Sequence, residues 1–263
     1  MRESLGNHSL NLEGNDIRIT EVCRYLGYKK TEPDEATLAR IHECVEEMPE
    51  VITPRHIYRR WPLRILGSST NVDSDIHTYI PKADSDIHTH ILKDDSDRNA
   101  YTWESGGLTF HSKSLTANLA GCEEVFFFAA TLGSETDRCM RRLVKLDIAK
   151  AAVMQAVFAA ALEAYCDKCE ESLKKEVNAE GLFLRPRFSP GYGDFSLSVQ
   201  KDFLDALQAT KRIGIYLSEG DIMIPEKSVT AIMGIAKEKR NCHEEKCEAC
   251  ANRDCAYRRE TLA

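Results

Sequence analysis

One short run, Val125-Phe-Phe-Phe-Ala-Ala, constrains this chain more than any other segment. It has strand length and no polar position, so it cannot lie on a solvated surface and reads as a buried strand. The rest of the chain must supply the cover. With 263 residues, 43% apolar and 29% charged, the chain has material for one large domain or two small ones of ordinary globular character.

The neighbouring segments supply mixed α and β elements. Thr20 to Gly27 reads as a short helix stopped by its glycine. Pro33-Asp-Glu opens a second helix with Leu38, Ile41, Cys44 and Val45 on one face. Arg55 to Ile65 alternates loosely, as a strand does, and Leu115 to Leu119 suits a short helix ending near Gly121. Ser134-Glu-Thr-Asp has the form of a helix N-terminus, and Met140, Leu143 and Leu146 follow at helical spacing on what reads as a core face. A long Ala-rich helix is predicted from about Asp147 to about Val177.

The net charge of −7 disfavours nucleic acid and anionic membrane as partners, since both call for a basic surface. The most apolar stretch, Ala151 to Leu162, carries Gln155 and is flanked by Lys150 and Glu163. It is shorter than the roughly 20 apolar residues of a membrane span. The first residues show no apolar secretory core, so a cytoplasmic protein is expected. Ten cysteines in that compartment read as free thiols or metal ligands rather than disulfides.

Four of them crowd the end of the chain. Cys242, Cys247, Cys250 and Cys255 fall within fourteen positions, with His243 beside them. Such density suits a shared metal, zinc or an iron–sulfur cluster, and the spacing does not choose between them. Four unrelated thiols are the plainer alternative. A second oddity lies between residues 66 and 106, where Asp73-Ser-Asp-Ile-His-Thr recurs as Asp84-Ser-Asp-Ile-His-Thr and Asp95-Ser-Asp begins again. His77, His88 and the neighbouring aspartates have metal-ligand chemistry, but a duplicated solvated insertion, or a hairpin with turns at Asp-Ser-Asp, is the plainer reading, because only Ile76, Ile80, Ile87 and Ile91 could support a rigid site.

Between Gly181 and Phe195, two prolines and repeated glycines forbid a continuous helix. The loop carries Arg185 and Arg187, expected to project, and Tyr192 after a permissive Gly191. An arginine fork suits a carboxylate. Arg187-Phe-Ser-Pro-Gly191-Tyr192 is an Arg-x-x-x-Gly-Tyr motif and resembles the S-adenosylmethionine-binding signature of the activation domain of cobalamin-dependent methionine synthase. Phe127-Phe-Ala-Ala-Thr-Leu-Gly, Leu162-Glu163-Ala-Tyr-Cys-Asp and Met223-Ile-Pro-Glu-Lys-Ser228-Val229 resemble that family's core in the same order. Glu21-Val-Cys-Arg-Tyr-Leu-Gly-Tyr resembles its stand-alone members, and the likeness covers roughly residues 15 to 235 without the repeat insertion. After Ser228-Val229 the chain departs from the family, with Ala231-Ile-Met-Gly-Ile where fused domains carry tyrosines.

The resemblance implies an α+β fold: a twisted antiparallel sheet with helices to one side, over residues 1–236, followed by a Cys-rich tail at 237–263. It implies binding of S-adenosylmethionine by Arg187, Ser189, Pro190, Gly191, Tyr192 and Glu163, with Glu180 an alternative to Glu163. Arg187 would hold the ligand carboxylate, and Tyr192 would pack on the ligand or reach the corrin. The implied activity is methyltransferase-type: reductive remethylation of cobalamin carried by a partner methionine synthase. The electron would come from a donor such as flavodoxin or ferredoxin. Positioning of the methyl group is the protein's share of the chemistry, and no residue is expected to act as an acid, base or nucleophile. Alternatives are reactivation of another corrinoid methyltransferase, a metal-binding adaptor without catalysis, or an ordinary small-molecule methyltransferase. The last calls in its usual form for a glycine-rich turn after a first strand, and the sequence has no such turn.

Overall fold

The computed structural model describes residues 5–6, 10–28, 31–65 and 101–239. The apolar run lies at the centre of a five-stranded antiparallel sheet, in the order β1 (Leu5–Gly6), β2 (Arg55–Pro62), β6 (Cys122–Thr131), β10 (Ser228–Ala236), β7 (Phe183–Leu184). Three strands, β3 (Arg64–Ile65), β4 (Thr102–Ser105) and β5 (Leu108–His111), form a smaller sheet, and β8 (Tyr216–Leu217) pairs with β9 (Met223–Ile224). Thr102 to Ser105, at the end of the span that contains the repeats, form a strand of this smaller sheet.

Alternation along β6 explains the two cores. Phe126, Phe128 and Ala130 join one cluster with Val22 of α1 (Ile19–Tyr25), Ile41 and Met48 of α2 (Glu35–Val51), and the long helix α5 (Ile148–Ala179). Val125, Phe127 and Ala129 face the other way. There they meet Leu115 and Leu119 of α3 (Lys113–Leu119), Phe203 and Leu207 of α6 (Gln200–Leu207), Ile213 of α7 (Ala209–Ile213), and Trp103 and Phe110 of the small sheet. Helices thus cover both faces of the sheet, not one. The reason is local: a strand apolar at every position has two faces to bury.

The predicted elements otherwise stand close to their expected bounds. Gly27 takes φ +92° after α1, and the Asp34 carboxylate caps α2 by accepting from Thr37 N–H at 2.7 Å. Ser134 precedes α4 (Glu135–Leu146) but makes no side-chain cap, because its own backbone is already helical. Thr136 Oγ1 donates to the Gly133 carbonyl at 2.7 Å instead. Leu143 is buried as expected, whereas Leu146 is exposed. Gly234 on β10 has no room for a side chain: a Cβ there would lie 2.5 Å from Cys122 Sγ and 3.1 Å from Arg185 Cγ.

Helix α5, at 32 residues, is long and apolar enough over part of its length to cross a bilayer by composition alone. Half of that stretch is buried inside this fold, where Ala151, Ala156, Ala160 and Ala161 allow close packing. It is a core helix. Cys166 and Cys169 lie on its buried side, and burial raises both thiols, Cys169 to about 12; Cys44 on α2 rises to about 11. Thiolates are the reactive form, so iodoacetamide at pH 7.5 is expected to leave all three unmodified until the chain is unfolded in urea. Peptide mass spectrometry checks this, and alkylation of Cys169 in the native protein would show that α5 opens.

Candidate functional site

The loop after β7 departs from β10 and then rejoins it. Arg185 N–H donates to Gly234 O at 2.7 Å, and Phe188 exchanges two backbone hydrogen bonds with Ile232 at 2.9 and 2.8 Å. Leu184 stands opposite Ile235, and Phe188 opposite Ile232. Four steps along the loop therefore match three along β10, which is the geometry of a bulge. Pro186 lies within it and has no N–H to pair.

Arg187, on that bulge, meets three carboxylates of α5. Its Nη2 donates to Asp167 Oδ1 at 2.7 Å and to Glu163 Oε2 at 3.3 Å. Its Nε lies 3.5 Å from Glu170 Oε2. Glu163, Asp167 and Glu170 are spaced i, i+4 and i+7, one stripe on the helix. Sequence reading found Glu163 but missed the other two, and the spacing alone was the available signal.

Neither arginine projects as expected. Arg185 is 2% exposed and the Arg187 side chain 10%, because the bulge packs them between the sheet edge and its neighbours. Burial opposes the Arg187 charge, but the nearby Cys166 and the carboxylates of Glu170, Asp167 and Glu163 outweigh it and raise the proton affinity. The group stays cationic. Nη1 of Arg187 and Oε2 of Glu170 are buried without a hydrogen-bond partner. Glu163 and Asp167 remain 43% and 49% exposed and form an acidic rim in front of the guanidinium. Lys174 pairs with the other oxygen of Glu170 at 2.8 Å. Tyr25 of α1 borders the rim: burial, and then the charge of Glu163, push its phenol up. Glu180 is elsewhere, bonded to Arg60 at 2.8 Å, so it does not share the task assigned to Glu163.

The remaining motif residues form a tight turn. Gly191 takes φ +93° and donates its N–H to Phe195 O at 2.7 Å, and Tyr192 N–H donates to Ser189 O at 3.2 Å. Pro190 is buried and Tyr192 is 66% exposed. Asp194 then ties the turn to α3: it accepts from Ser112 Oγ at 2.6 Å, Lys113 N–H at 2.7 Å and Ser114 N–H at 3.0 Å. Burial pushes this carboxyl up, but those donors hold it below the usual range. Its contribution to stability is therefore present above the ordinary carboxylate pKa and lost as pH falls through the depressed value. The urea midpoint gap between wild type and Asp194→Ala should be constant from pH 8 to pH 5 and worth about 1 kcal/mol. It should close below about pH 4. A gap that grows on acidification would show the cap to be misassigned.

Among the described residues, no three His, Cys, Asp or Glu side chains are disposed to hold a metal ion. Cys242, Cys247, Cys250 and Cys255, and the repeats with His77 and His88, lie outside the described residues. A surface depression of about 310 Å³ is lined by Pro62, Arg64 and residues 104–109, and it contains none of the motif residues.

No family model matches the chain, and no curated protein matches its sequence. A solved structure does: the MetH reactivation domain bound to AdoHcy, at 15% identity and a TM-score of 0.58, over 91% of this chain and 80% of that one. The elements that carry Arg187, Glu163 and the Gly191–Tyr192 turn are thus set in the fold of the MetH reactivation domain.

Proposed function

We propose that the chain binds S-adenosylmethionine at the edge between the Arg187–Tyr192 loop and α5, and supports reductive remethylation of cobalamin held by a partner methionine synthase. The observation that carries this reading is the meeting of Arg187 with Glu163: two residues 24 positions apart, chosen for their resemblance to a ligand-binding motif, stand 3.3 Å apart.

The charge balance refines the roles. S-adenosylmethionine carries a sulfonium, an ammonium and one carboxylate, net +1. Three carboxylates against Arg187 and Lys174 leave a negative excess that suits such a cation. Glu163 and Asp167, open to solvent, take the ammonium and face the sulfonium. Arg187 orients both acids and offers its remaining buried donor, Nη1, to the ligand carboxylate. Gly191 keeps the turn close to the ligand, Ser189 and Pro190 shape it, and the exposed Tyr192 ring covers the ligand or the partner's corrin. The corrinoid, when the partner presents it, supplies the nucleophilic metal that takes the methyl group. One electron from a flavodoxin- or ferredoxin-class donor is consumed, and S-adenosylhomocysteine leaves. The protein contributes position rather than acid–base chemistry.

The test is transfer of an isotopically labelled methyl group from S-adenosylmethionine to the corrinoid of oxidatively inactivated methionine synthase, with a reduced donor present. Wild type should restore turnover, while Glu163→Gln and Tyr192→Ala should each slow transfer at least about tenfold. Transfer that both variants support at the wild-type rate would remove this edge from the function.

A further inference from the structure

Three carboxylates surround Arg187, and their settings differ. Glu170 is shut in, its side chain 8% exposed, and it already pairs with Lys174 at 2.8 Å. Glu163 and Asp167 are about half exposed and stand one helical turn apart, about 6 Å along α5. Between the acids and the sheet edge lies Arg187, its side chain 10% exposed, with Nη1 buried and no hydrogen-bond partner for it. A buried guanidinium donor of this kind suits a carboxylate.

The two exposed acids meet different neighbours. Asp167 Oδ1 is the closer to the guanidinium, 2.7 Å from Nη2 against 3.3 Å for Glu163 Oε2. In an amino-acid ligand the ammonium and the carboxylate share one carbon. With that carboxylate on Nη1, the ammonium falls to the acid held nearest the guanidinium, which is Asp167. Glu163 stands a turn earlier on α5 and is bordered by Tyr25 of α1. The Tyr25 ring already carries the Arg24 guanidinium, 4.4 Å from its centre. A carboxylate beside an electron-rich ring suits a cation that has no N–H to donate, and a sulfonium is such a cation. Three carbons lie between the ammonium nitrogen and the sulfonium sulfur of the ligand, a span that one helical turn matches.

We propose that Glu163 reads the sulfonium charge and Asp167 the ammonium, so that this edge holds S-adenosylmethionine more tightly than S-adenosylhomocysteine, a division that rests on the binding reading above. Both ligands carry the ammonium, the carboxylate and the nucleoside, and they differ only at sulfur. Methyl transfer breaks the sulfur–methyl bond and leaves its electron pair on sulfur, while the acceptor's own pair forms the new bond. The sulfonium becomes a neutral thioether, and the net charge of the ligand falls from +1 to zero. Attraction to Glu163 ends at that step, and fresh substrate displaces the product. Such an attraction at a half-exposed carboxylate is worth about tenfold in affinity.

The experiment is calorimetric titration of the full chain with S-adenosylmethionine, S-adenosylhomocysteine and sinefungin, in which a protonated amine stands in place of the sulfonium. Wild type should bind S-adenosylmethionine and sinefungin at least about tenfold more tightly than S-adenosylhomocysteine, and added salt should narrow the gap. Glu163→Gln should bring both cations down to the level of S-adenosylhomocysteine, whose own affinity stays as in wild type. Asp167→Asn should weaken all three alike and keep the gap. Circular dichroism should be unchanged in both variants, because neither side chain is buried. Equal affinity for substrate and product in wild type would overturn the proposal, as would sinefungin bound no more tightly than S-adenosylhomocysteine. So would a gap that survives Glu163→Gln or closes in Asp167→Asn. Binding of none of the three would overturn the ligand reading itself, and the division of the acids with it.

Discussion

Replacing Arg187 by alanine is expected to cost the fold about 3–5 kcal/mol, read as a shift of the urea midpoint. The magnitude follows from burial. Glu163 and Asp167 are about half exposed, and their pairs with Arg187 contribute little on their own. Glu170 is different: its side chain is 8% exposed and its second oxygen already has no hydrogen-bond partner. Without the guanidinium, only Lys174 would offset that buried charge. A double replacement, Arg187→Met with Glu170→Met, should therefore recover most of the loss, since an apolar pair of similar volume carries no desolvation penalty. Failure of the double variant to recover would mean that Arg187 acts through packing of the bulge rather than through charge.

Phe127→Ala is expected to cost a similar amount, about 3–5 kcal/mol. Phe127 is fully buried on the central strand. Its ring stacks on Phe203 at 4.6 Å and meets Trp61 at 4.6 Å and Phe110 at 5.7 Å. It thus ties α6, β2 and the small sheet to the main sheet at one point. Aromatic contacts of this kind contribute beyond the area they bury. Phe127→Leu should cost distinctly less, because most of the volume is kept. Thermal melts of both variants check the order, and equal losses would show that ring geometry rather than volume sets the cost.

The two positions mark what the amino-acid order made legible. The run containing Phe127 announced a buried strand, but the expectation of helices on one side underused it. Alternation of Phe126 and Phe128 against Phe127 already required two covered faces. Gly27, Asp34 and Gly121 marked helix ends because capping and positive φ are local chemistry. Ser134 misled, since a serine caps only when its own backbone stays extended. Leu146 misled for a related reason: helical spacing holds only while the helix continues.

The site was legible in part. The Arg-x-x-x-Gly-Tyr pattern and Glu163 could be paired by resemblance, yet the burial of Arg187 could not be read from a loop rich in proline and glycine. It depends on the bulge against β10, a long-range pairing. Asp167 and Glu170 were visible as a helical stripe facing an arginine that only the fold brings near. Asp194, which anchors the turn to α3, has no sequence signal beyond its place after Gly193.

The most direct test is calorimetric titration of the full chain with S-adenosylmethionine, beside the Glu163→Gln variant. Glu163 is half exposed and its loss should spare the fold, so a change in binding reports on the site. A single saturable site in the wild type, weakened at least about tenfold in Glu163→Gln, is the expected result. Absence of saturable heat in the wild type, or equal affinity in the variant, would contradict the assignment of the Arg187–Glu163 edge as the ligand site.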